Sequence, residues 1–367
     1  MRVLHILNEL KPSGTELMYV AAAGLWQAHG LQSEVLSTGA ERGALAPRMA
    51  EVGFRIHHMP FRRSPRFVAD VYRFLRRGRY DAVHIQTERA CFWYALAAYL
   101  GGSRCLFRTV NNVFPFHGLL RLRRAWQRRI LRRLGVCMIA ISPSVRAAEA
   151  RYFANPTELI PAWFDDAVYV PPTPDQRLEA RRRFGIAPET VAFCSISGCW
   201  SYKNHEAIVQ AMALLPRGLD IAYLHAGLEE AGGPERRLAA ELGVRHRVRF
   251  LGVVPEILAL LHASDIYVMP SLYEGFGCSA VEAMGAGLPA ILSDVAGLRD
   301  FRETCPGIRW VDTTPPSIAA AMQEFICVPS LERRGIGRCL SRAVHSHYGL
   351  SQGALRYALL YRHQPAS

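Results

Sequence analysis

One stretch, residues 266–289, constrains the fold of this chain more than any other part of it. An apolar run ends at Pro270, which cannot extend a central strand because it has no backbone N–H to donate. A loop containing Glu274 follows, then a helical pattern over residues 279–284, and a second apolar run begins after Pro289. The order of strand, loop, helix and strand is typical of one repeating unit of a parallel α/β sheet.

The loop in this stretch has the residues of an anion-binding site. Gly275 and Gly277 allow a ligand to approach the backbone closely. Ser279 is predicted to cap the helix, with Glu282 at capping-box spacing, so the exposed N–H groups and the positive end of the helix dipole would face an anion. Glu274 and Glu282 lie on either side of the glycines, and carboxylates accept hydrogen bonds from sugar hydroxyls. The predicted ligand is therefore a sugar joined to a diphosphate.

The two glutamates also carry a family resemblance. The spacing Glu274-x7-Glu282, within Pro-Ser-Leu-Tyr-Glu-Gly-Phe-Gly and before Glu-Ala-Met-Gly-Ala-Gly-Leu-Pro, resembles the signature of retaining GT-B glycosyltransferases of family 4, the glycosyltransferase group 1 type. The resemblance implies an α/β fold of two doubly wound Rossmann-like domains facing a cleft. It also implies transfer of a sugar from a nucleoside-diphosphate sugar to a glycan or a lipid-linked acceptor, as in envelope polysaccharide or glycolipid biosynthesis. The alternative to a donor-binding site is an ordinary strand–loop–helix connection with no ligand.

The resemblance assigns roles to residues of the second half of the chain. Glu274 and Lys203 are the implied catalytic residues: the first holds hydroxyls of the donor sugar, and the second stabilises the leaving phosphate. The other implied donor-binding residues are Glu282, Gly275, Phe276, Gly277, Cys278, Gly198, Asn204 and Gly297. No cofactor is expected beyond the nucleoside-diphosphate sugar as co-substrate. No metal is expected either, because the chain has no Asp-x-Asp, the metal-binding pattern of the other glycosyltransferase architecture.

Lys203 is prominent for a reason of composition. The chain contains only two lysines, Lys11 and Lys203, and both are predicted in strand-to-helix loops. An ammonium group is a compact point charge that suits a diphosphate. Relatives usually place an arginine after a glycine a few residues before this lysine, whereas here Gly198 is followed by Cys199.

Three residues of the first half are implied on the acceptor side: Gly14, His84 and Asn111. Gly14 belongs to a turn at a helix start, and His84 lies near the carboxyl end of a predicted strand, where ligands bind in open α/β sheets. A buried histidine of the core explains His84 equally well. Asn111 falls where many relatives have a histidine, and an amide cannot shuttle a proton at neutral pH.

The alternation of strands and helices restarts once along the chain. A stiff proline-rich segment, Pro171–Pro174, is the predicted boundary between the domains. Residues 1–170 are then the N-terminal acceptor-binding domain, and residues 171–347 the C-terminal donor-binding domain. The resemblance further implies that a closing helix within residues 348–367 packs back on the first domain.

The net charge of +13 is concentrated in one region. Residues 89–148 contain eleven arginines and no acidic residue. Within them, the segment Arg121–Arg133 has apolar and arginine positions at helical spacing, together with a tryptophan. A basic amphipathic helix of this kind favours docking on an anionic membrane surface, although a solvated helix face is an equal alternative. No nucleic-acid-binding module accompanies the charge, so no nucleic-acid partner is expected.

The remaining composition bears on location and on competing functions. The nine cysteines include no Cys-x-x-Cys pair, which indicates free thiols in the cytoplasm. With no apolar run of about 18 residues, the expected location is cytoplasmic, as a peripheral protein on the inner face of the cell membrane. A catalytically inactive, membrane-docked GT-B partner and a nucleotide-sugar epimerase remain alternatives, and the missing arginine and histidine favour the inactive partner.

Overall fold

A computed structural model describes residues 1–114, 116–229 and 233–363. Its contacts divide the chain into two compact units. The first domain comprises Met1–Phe164 and the segment that begins at Leu350, and the second domain comprises Asp165–Gly349.

The first domain is built on a parallel sheet of seven strands. They are β1 (Arg2–Leu7), β2 (Gln32–Ser37), β3 (Arg55–His58), β4 (Ala82–Ile85), β5 (Cys105–Val110), β6 (Cys137–Ala140) and β7 (Glu158–Leu159). Their spatial order is β3-β2-β1-β4-β5-β6-β7, and each neighbouring pair is parallel. The order reverses between β1 and β4, as in a doubly wound sheet.

Six helices connect these strands. They are α1 (Gly14–Ala28), α2 (Ala46–Glu51), α3 (Pro65–Gly78), α4 (Cys91–Leu100), α5 (Gly118–Arg133) and α6 (Pro143–Phe153). Helix α3 shows how the sequence produces them. Ser64 accepts a hydrogen bond from the N–H of Phe67, and the side chains of Phe67, Val71 and Leu75, spaced four apart, share one face and are buried in the core.

The second domain repeats this plan with six parallel strands. They are β8 (Val191–Ile196), β9 (Ile221–Ala226), β10 (Val248–Phe250), β11 (Ile266–Met269), β12 (Ala290–Ser293) and β13 (Arg309–Val311). Their order is β10-β9-β8-β11-β12-β13, which reverses between β8 and β11. The helices of this domain are α7 (Pro174–Arg183), α8 (His205–Leu214), α9 (Pro234–Glu241), α10 (Ile257–Ala263), α11 (Cys278–Gly285), α12 (Pro315–Cys327) and α13 (Ser330–Tyr348), with short 3₁₀ turns at Ser201–Lys203, Arg245–Arg247 and Arg299–Phe301. Two doubly wound α/β sheets are therefore confirmed.

The domain division differs from the predicted boundary. It falls between Phe164 and Asp165, before the proline-rich segment. That segment packs on the second domain: Nε2 of His262 lies 3.0 Å from the carbonyl oxygen of Val170, and Pro171 borders Gly287. Prolines stiffen the chain, but here they stiffen a segment that is already part of a folded unit.

The last helix, α14 (Ala354–His363), belongs to the first domain. The indole N–H of Trp26 donates to the carbonyl oxygen of Ala354 at 2.9 Å, and the side chains of Tyr357 and Tyr361 are fully buried. Within the described ranges, none of the helices combines the length and the apolar run that crossing a bilayer would take.

Candidate active site

Three loops at one edge of the second sheet carry the predicted donor-site residues. They follow β8, β11 and β12, which are adjacent strands, so the loops leave the sheet side by side. The β8 and β11 loops also flank the point where the strand order reverses. In doubly wound sheets this point leaves a crevice at the carboxyl ends of the strands, where ligands bind.

Lys203 and Glu274, predicted from separate loops, are in direct contact. Nζ of Lys203 lies 2.6 Å from Oε1 of Glu274, and Oγ of Ser271 donates to the same oxygen at 2.8 Å. The glutamate is only 7% exposed. A charge-assisted hydrogen bond in this partly desolvated site fixes both side chains, since neither could be buried alone without a large cost.

Helix α11 begins at this loop, although not at the predicted residue. The N-cap is Gly277, at φ 94°, and no side chain caps the helix. The capping box predicted for Ser279 is therefore wrong: Ser279 lies inside the first turn, and its Oγ accepts a hydrogen bond from the hydroxyl of Tyr267 at 2.8 Å. Only glycine adopts such a φ readily, so Gly277 lets the helix start early. With no capping side chain, the first N–H groups of α11 remain available to a ligand.

Glu282 projects from the second turn of α11 and is 9% exposed. Burial raises the pKa of its carboxyl from 4.5 to about 8. Burial, followed by the charges of Glu282 and Glu274, also raises the pKa of the Cys278 thiol to about 12. Around neutral pH, Glu282 in this structure is therefore a protonated acid, and Cys278 is a neutral thiol.

Two further residues predicted in the donor loops, Phe276 and Gly297, pack against neighbouring parts of the second domain and so hold the loops in place. The ring of Phe276 is buried and packs edge to face on Phe301 and Tyr348, with centroids 5.2 and 5.3 Å away. Gly297 has φ 85°, and a Cβ there would lie 2.4 Å from the carbonyl oxygen of Glu274. The loop after β12 thus packs directly on the Glu274 backbone, and neighbouring Gly275 shares this contact.

The donor contact of Asn204 stays a prediction, and the structure shows how its side chain holds the loop after β8. Its backbone is left-handed, at φ 60° and ψ 36°, a conformation that asparagine tolerates better than most residues. Its side-chain Nδ2 donates to the carbonyl oxygens of Pro270 and Thr313, at 3.1 and 2.9 Å. The amide N–H groups are thus engaged in clamping the β8 loop to two other loops.

The residue after Gly198 supplies no cation. Cys199 is buried, and its Sγ lies 3.7 Å from Nε2 of His225. Burial lowers the pKa of His225 to about 4, so this ring is neutral as well. Gly198 itself faces the Trp200 ring, where a Cβ would lie 2.7 Å from Nε1. The position after Gly198, where the family resemblance implies an arginine, is therefore uncharged and closely packed.

The predicted acceptor-side residues lie in the first domain, where Gly14 opens helix α1. Nδ2 of Asn111 donates at 3.0 Å to both the backbone oxygen and the side-chain oxygen of Gln86. The sequence pattern did not single out Glu16, whose carboxyl accepts a hydrogen bond from Ser13 in the first turn of α1 and whose pKa is raised by burial. Its position two residues after Gly14, in the first turn of the helix, was the available signal.

His84 lies in the core. Its Nδ1 is 2.6 Å from the hydroxyl of Tyr361, its Nε2 is 2.7 Å from Oγ1 of Thr109, and its ring stacks on Tyr357. Burial, with a smaller effect of His5, lowers its pKa well below the usual value. Of the two interpretations of the sequence, this geometry matches the core histidine that joins β4 to α14.

Helix α5 spans the predicted Arg121–Arg133 segment, and its inner side buries an arginine, Arg128, beside Leu131. The guanidinium of Arg128 is buried and donates to both carboxylate oxygens of Glu149, at 2.7 and 2.8 Å. Three apolar side chains point outward instead: Leu119, Leu122 and Trp126 are 84%, 62% and 59% exposed. We call these three the α5 face.

Comparison with known proteins identifies the family. The model of "Glycosyl transferases group 1" matches residues 176–334, and that of "Glycosyltransferase Family 4" matches residues 12–168, which together take in most of the chain. The glycosyltransferase EpsF of Bacillus subtilis is 26% identical over 80% of this chain and 79% of its own length. Six other curated relatives match over less than half of their own length, and the D-inositol 3-phosphate glycosyltransferase of Pseudarthrobacter chlorophenolicus matches at 27% identity over 73% of this chain and 71% of its own length.

Solved structures agree on the fold. Anabaena Alr3699/HepE, in complex with UDP and glucose, superposes with a TM-score of 0.85 at 18% identity, over 99% of this chain and all (100%) of that one. WaaG, a glycosyltransferase involved in lipopolysaccharide biosynthesis, gives a TM-score of 0.78 at 15% identity over 99% and 100%. With two doubly wound domains and both family models matched, this chain belongs to the GT-B glycosyltransferases of the group 1, family 4 type.

Proposed function

We propose that this protein transfers a sugar from a nucleoside-diphosphate sugar to a glycan or a lipid-linked acceptor, with retention at the anomeric carbon and without a metal ion. The donor binds in the second domain, and the first domain binds the acceptor. The observation that carries this proposal is the contact of Lys203 with Glu274 beside the start of α11, where the strand order of the second sheet reverses.

Each group in this arrangement suits one part of the donor. The N–H groups of Gly277 and Cys278 and the positive end of the α11 dipole suit the diphosphate. Lys203 stabilises the negative charge that develops on the leaving phosphate, a contribution of about 3–4 kcal/mol for one preorganised donor. Glu274 and Glu282 accept hydrogen bonds from hydroxyls of the sugar and the ribose.

Occupation of this site by a diphosphate changes the partners of Lys203. In this structure the charge of Lys203 is neutralised by Glu274 at 2.6 Å. A bound diphosphate competes for the ammonium and releases the Glu274 carboxylate toward the sugar hydroxyls. The ion pair thus keeps both groups in place before the donor arrives.

The test is turnover of a panel of UDP-, GDP- and ADP-sugars, beginning with UDP-glucose. Detectable hydrolysis or transfer by the parent protein, lowered at least about 100-fold by Lys203→Ala and by Glu274→Ala, supports the proposal. Arg237→Ala, which removes an exposed cation of the same domain, serves as the matched control. Retention is read from the anomeric configuration of the product by NMR. Absence of turnover with every donor, with nucleotide binding unchanged by either variant, would instead indicate an inactive GT-B partner.

For the acceptor, the α5 face favours a substrate presented at an anionic membrane, and the proposed location is the cytoplasmic side of the cell membrane. Leu119, Leu122 and Trp126 are exposed apolar side chains on a helix whose exposed charged residues are all arginines, among them Arg121 and Arg129. Peripheral proteins bind membranes through this combination: apolar side chains enter the interface, and neighbouring cations contact anionic headgroups.

Co-sedimentation with vesicles tests this part. We expect binding to phosphatidylglycerol-containing vesicles, weaker binding to pure phosphatidylcholine, and loss of binding in the double variant Leu122→Ser, Trp126→Ser. Leu214→Ser, which replaces an exposed apolar side chain of α8 in the second domain, is the matched control. Equal binding to both vesicle types, or binding unchanged in the double variant, would refute the proposal that the α5 face docks on an anionic membrane.

A further inference from the structure

The second domain contains a cavity of about 800 Å³ at the edge of its sheet opposite the donor-site loops. It is bordered by α7 along its length, by the residues just before β11 and β12, and by the N-terminal half of α13. Ligand pockets in proteins commonly have this volume. We call it the arginine cavity because six arginines line it: Arg177, Arg181, Arg182, Arg333, Arg334 and Arg338.

The charge of the arginine cavity is largely unbalanced. Asp265 is its one acidic lining residue, and both of its carboxylate oxygens are already engaged by Arg177 and Arg181, at 2.6 and 3.1 Å. Burial, opposed by Asp265 and reinforced by the nearby cations Arg181 and Arg334, lowers the pKa of Arg177. Cations crowded in this way repel one another, and an anion would relieve the repulsion.

Two of the arginines also have donors that the fold leaves unused. Arg181 and Arg333 are each more than nine-tenths buried, and the Nε of each is buried without a hydrogen-bond partner. Nη1 of Arg333 donates to backbone oxygens, those of Phe325 and Val328, at 2.9 and 2.8 Å. Buried donors in native proteins are nearly always satisfied, so these two guanidinium groups have hydrogen-bonding capacity that the surrounding fold does not use.

Apart from Thr173, Ser264 and Asp265, the rest of the lining is apolar. Leu178, Ile186, Leu261 and Leu288 contribute side chains, together with prolines from the start of α7 and from before β12. This surface offers no hydrogen bonds to a sugar or a nucleobase. It suits a hydrocarbon body attached to the anionic group.

We propose that the arginine cavity is a second binding site, separate from the donor site, for an organic phosphate with an apolar body. The phosphate is held by the arginines of α7 and α13, and the apolar body lies against the leucine and proline wall. Phosphate oxygens accept the several N–H donors that guanidinium groups present in a fixed fork. The two sources of this chemistry are a phospholipid and a soluble organophosphate.

Titration calorimetry of the full chain with dihexanoyl phosphatidic acid, a phosphate monoester with short acyl chains, tests the site. We expect it to bind at least tenfold more tightly than either of two partial probes. One is glycerol 3-phosphate, which has the phosphate without the chains, and the other is dihexanoyl phosphatidylcholine, which has the chains with a zwitterionic headgroup. Saturating UDP should leave this affinity unchanged, because the donor site lies at the other edge of the sheet.

Variants locate the binding. The double variant Arg334→Ala, Arg338→Ala removes two exposed arginines of the cavity, and we expect it to weaken binding of the phosphatidic probe at least tenfold. Leu178→Ser, in the apolar wall, should weaken the phosphatidic probe more than glycerol 3-phosphate. Arg237→Ala, a matched loss of charge outside the cavity, should leave both unchanged.

The following results would overturn the proposal. They are absence of binding, binding that the double variant leaves unchanged, and glycerol 3-phosphate binding as tightly as the phosphatidic probe. Binding to vesicles that contain phosphatidic acid but not to the monomeric lipid would also refute a cavity, because surface adsorption explains it.

Discussion

Replacing Glu282 by glutamine should change how the stability of this protein depends on pH. Burial raises the pKa of the folded carboxyl from 4.5 to about 8. Between these values the unfolded chain has lost the proton, whereas the folded protein keeps it. Because the folded state binds more protons, the free energy of unfolding falls as pH rises through this window, by about 1.4 kcal/mol per pH unit.

The full effect is about 5 kcal/mol, reached as pH rises from 4.5 to about 8. Glu282→Gln keeps a neutral side chain of the same shape and removes this dependence. The free energy of unfolding of the parent minus that of the variant should therefore decrease by about 3 kcal/mol from pH 5.5 to pH 7.5. Urea denaturation at several pH values measures it, with Glu206→Gln, at an exposed position of α8, as the control.

A flat difference across this range would refute the reasoning, since it would mean that Glu282 ionises as easily in the folded protein as in the unfolded chain. The same proton gives a second readout. If a nucleotide binds with Glu282 ionised, binding at pH 7 releases a proton, and the calorimetric enthalpy will vary with the ionisation enthalpy of the buffer.

Three other substitutions test the packing around the sites. Gly297→Ala places a Cβ 2.4 Å from the carbonyl oxygen of Glu274 at φ 85°, so it should cost about 1–3 kcal/mol in urea denaturation and weaken nucleotide binding in calorimetry. Arg128→Ala leaves the buried Glu149 carboxylate without its bidentate partner, and we expect a loss of about 3–5 kcal/mol, which the double variant with Glu149→Ala should partly restore. Tyr361→Phe removes the 2.6 Å hydrogen bond to the buried histidine of β4 and should cost about 1–2 kcal/mol, with the first domain losing amide-exchange protection if α14 is held there.

The donor-site loop could be predicted because its residues are close in sequence. An apolar run stopped by Pro270, glycines and two carboxylates on one short segment leave few alternatives to a strand, a loop and a helix start. The family resemblance alone placed Lys203 and Glu274 in one site, and their direct contact was not predicted, since no local pattern reports on residues 71 positions apart. The start of α11 was misplaced because Ser279 is a better cap by type than Gly277, and the left-handed φ of Gly277 decided the outcome.

Elsewhere the sequence left roles open for a physical reason. His84 is held by Tyr361, which lies 277 positions away, so nothing near it distinguishes a core histidine from a ligand contact. The helical spacing of α5 predicted the helix but not which side faces inward. Arg128, paired with Glu149, is buried beside Leu131 on the inner side of α5, whereas Trp126 is exposed. Each side of the helix therefore carries both apolar and basic residues, which the spacing alone does not predict.

The central claim is that Lys203 binds the diphosphate of a nucleotide in the second domain, and the chain allows a direct test. Because it contains only two lysines, protein labelled with ¹³C at the lysine ε-carbons gives two signals, which Lys203→Arg assigns. We predict that UDP, GDP or ADP shifts the Lys203 signal to saturation as the ammonium exchanges Glu274 for phosphate oxygens. A Lys203 signal that stays in place while calorimetry detects nucleotide binding would contradict the account.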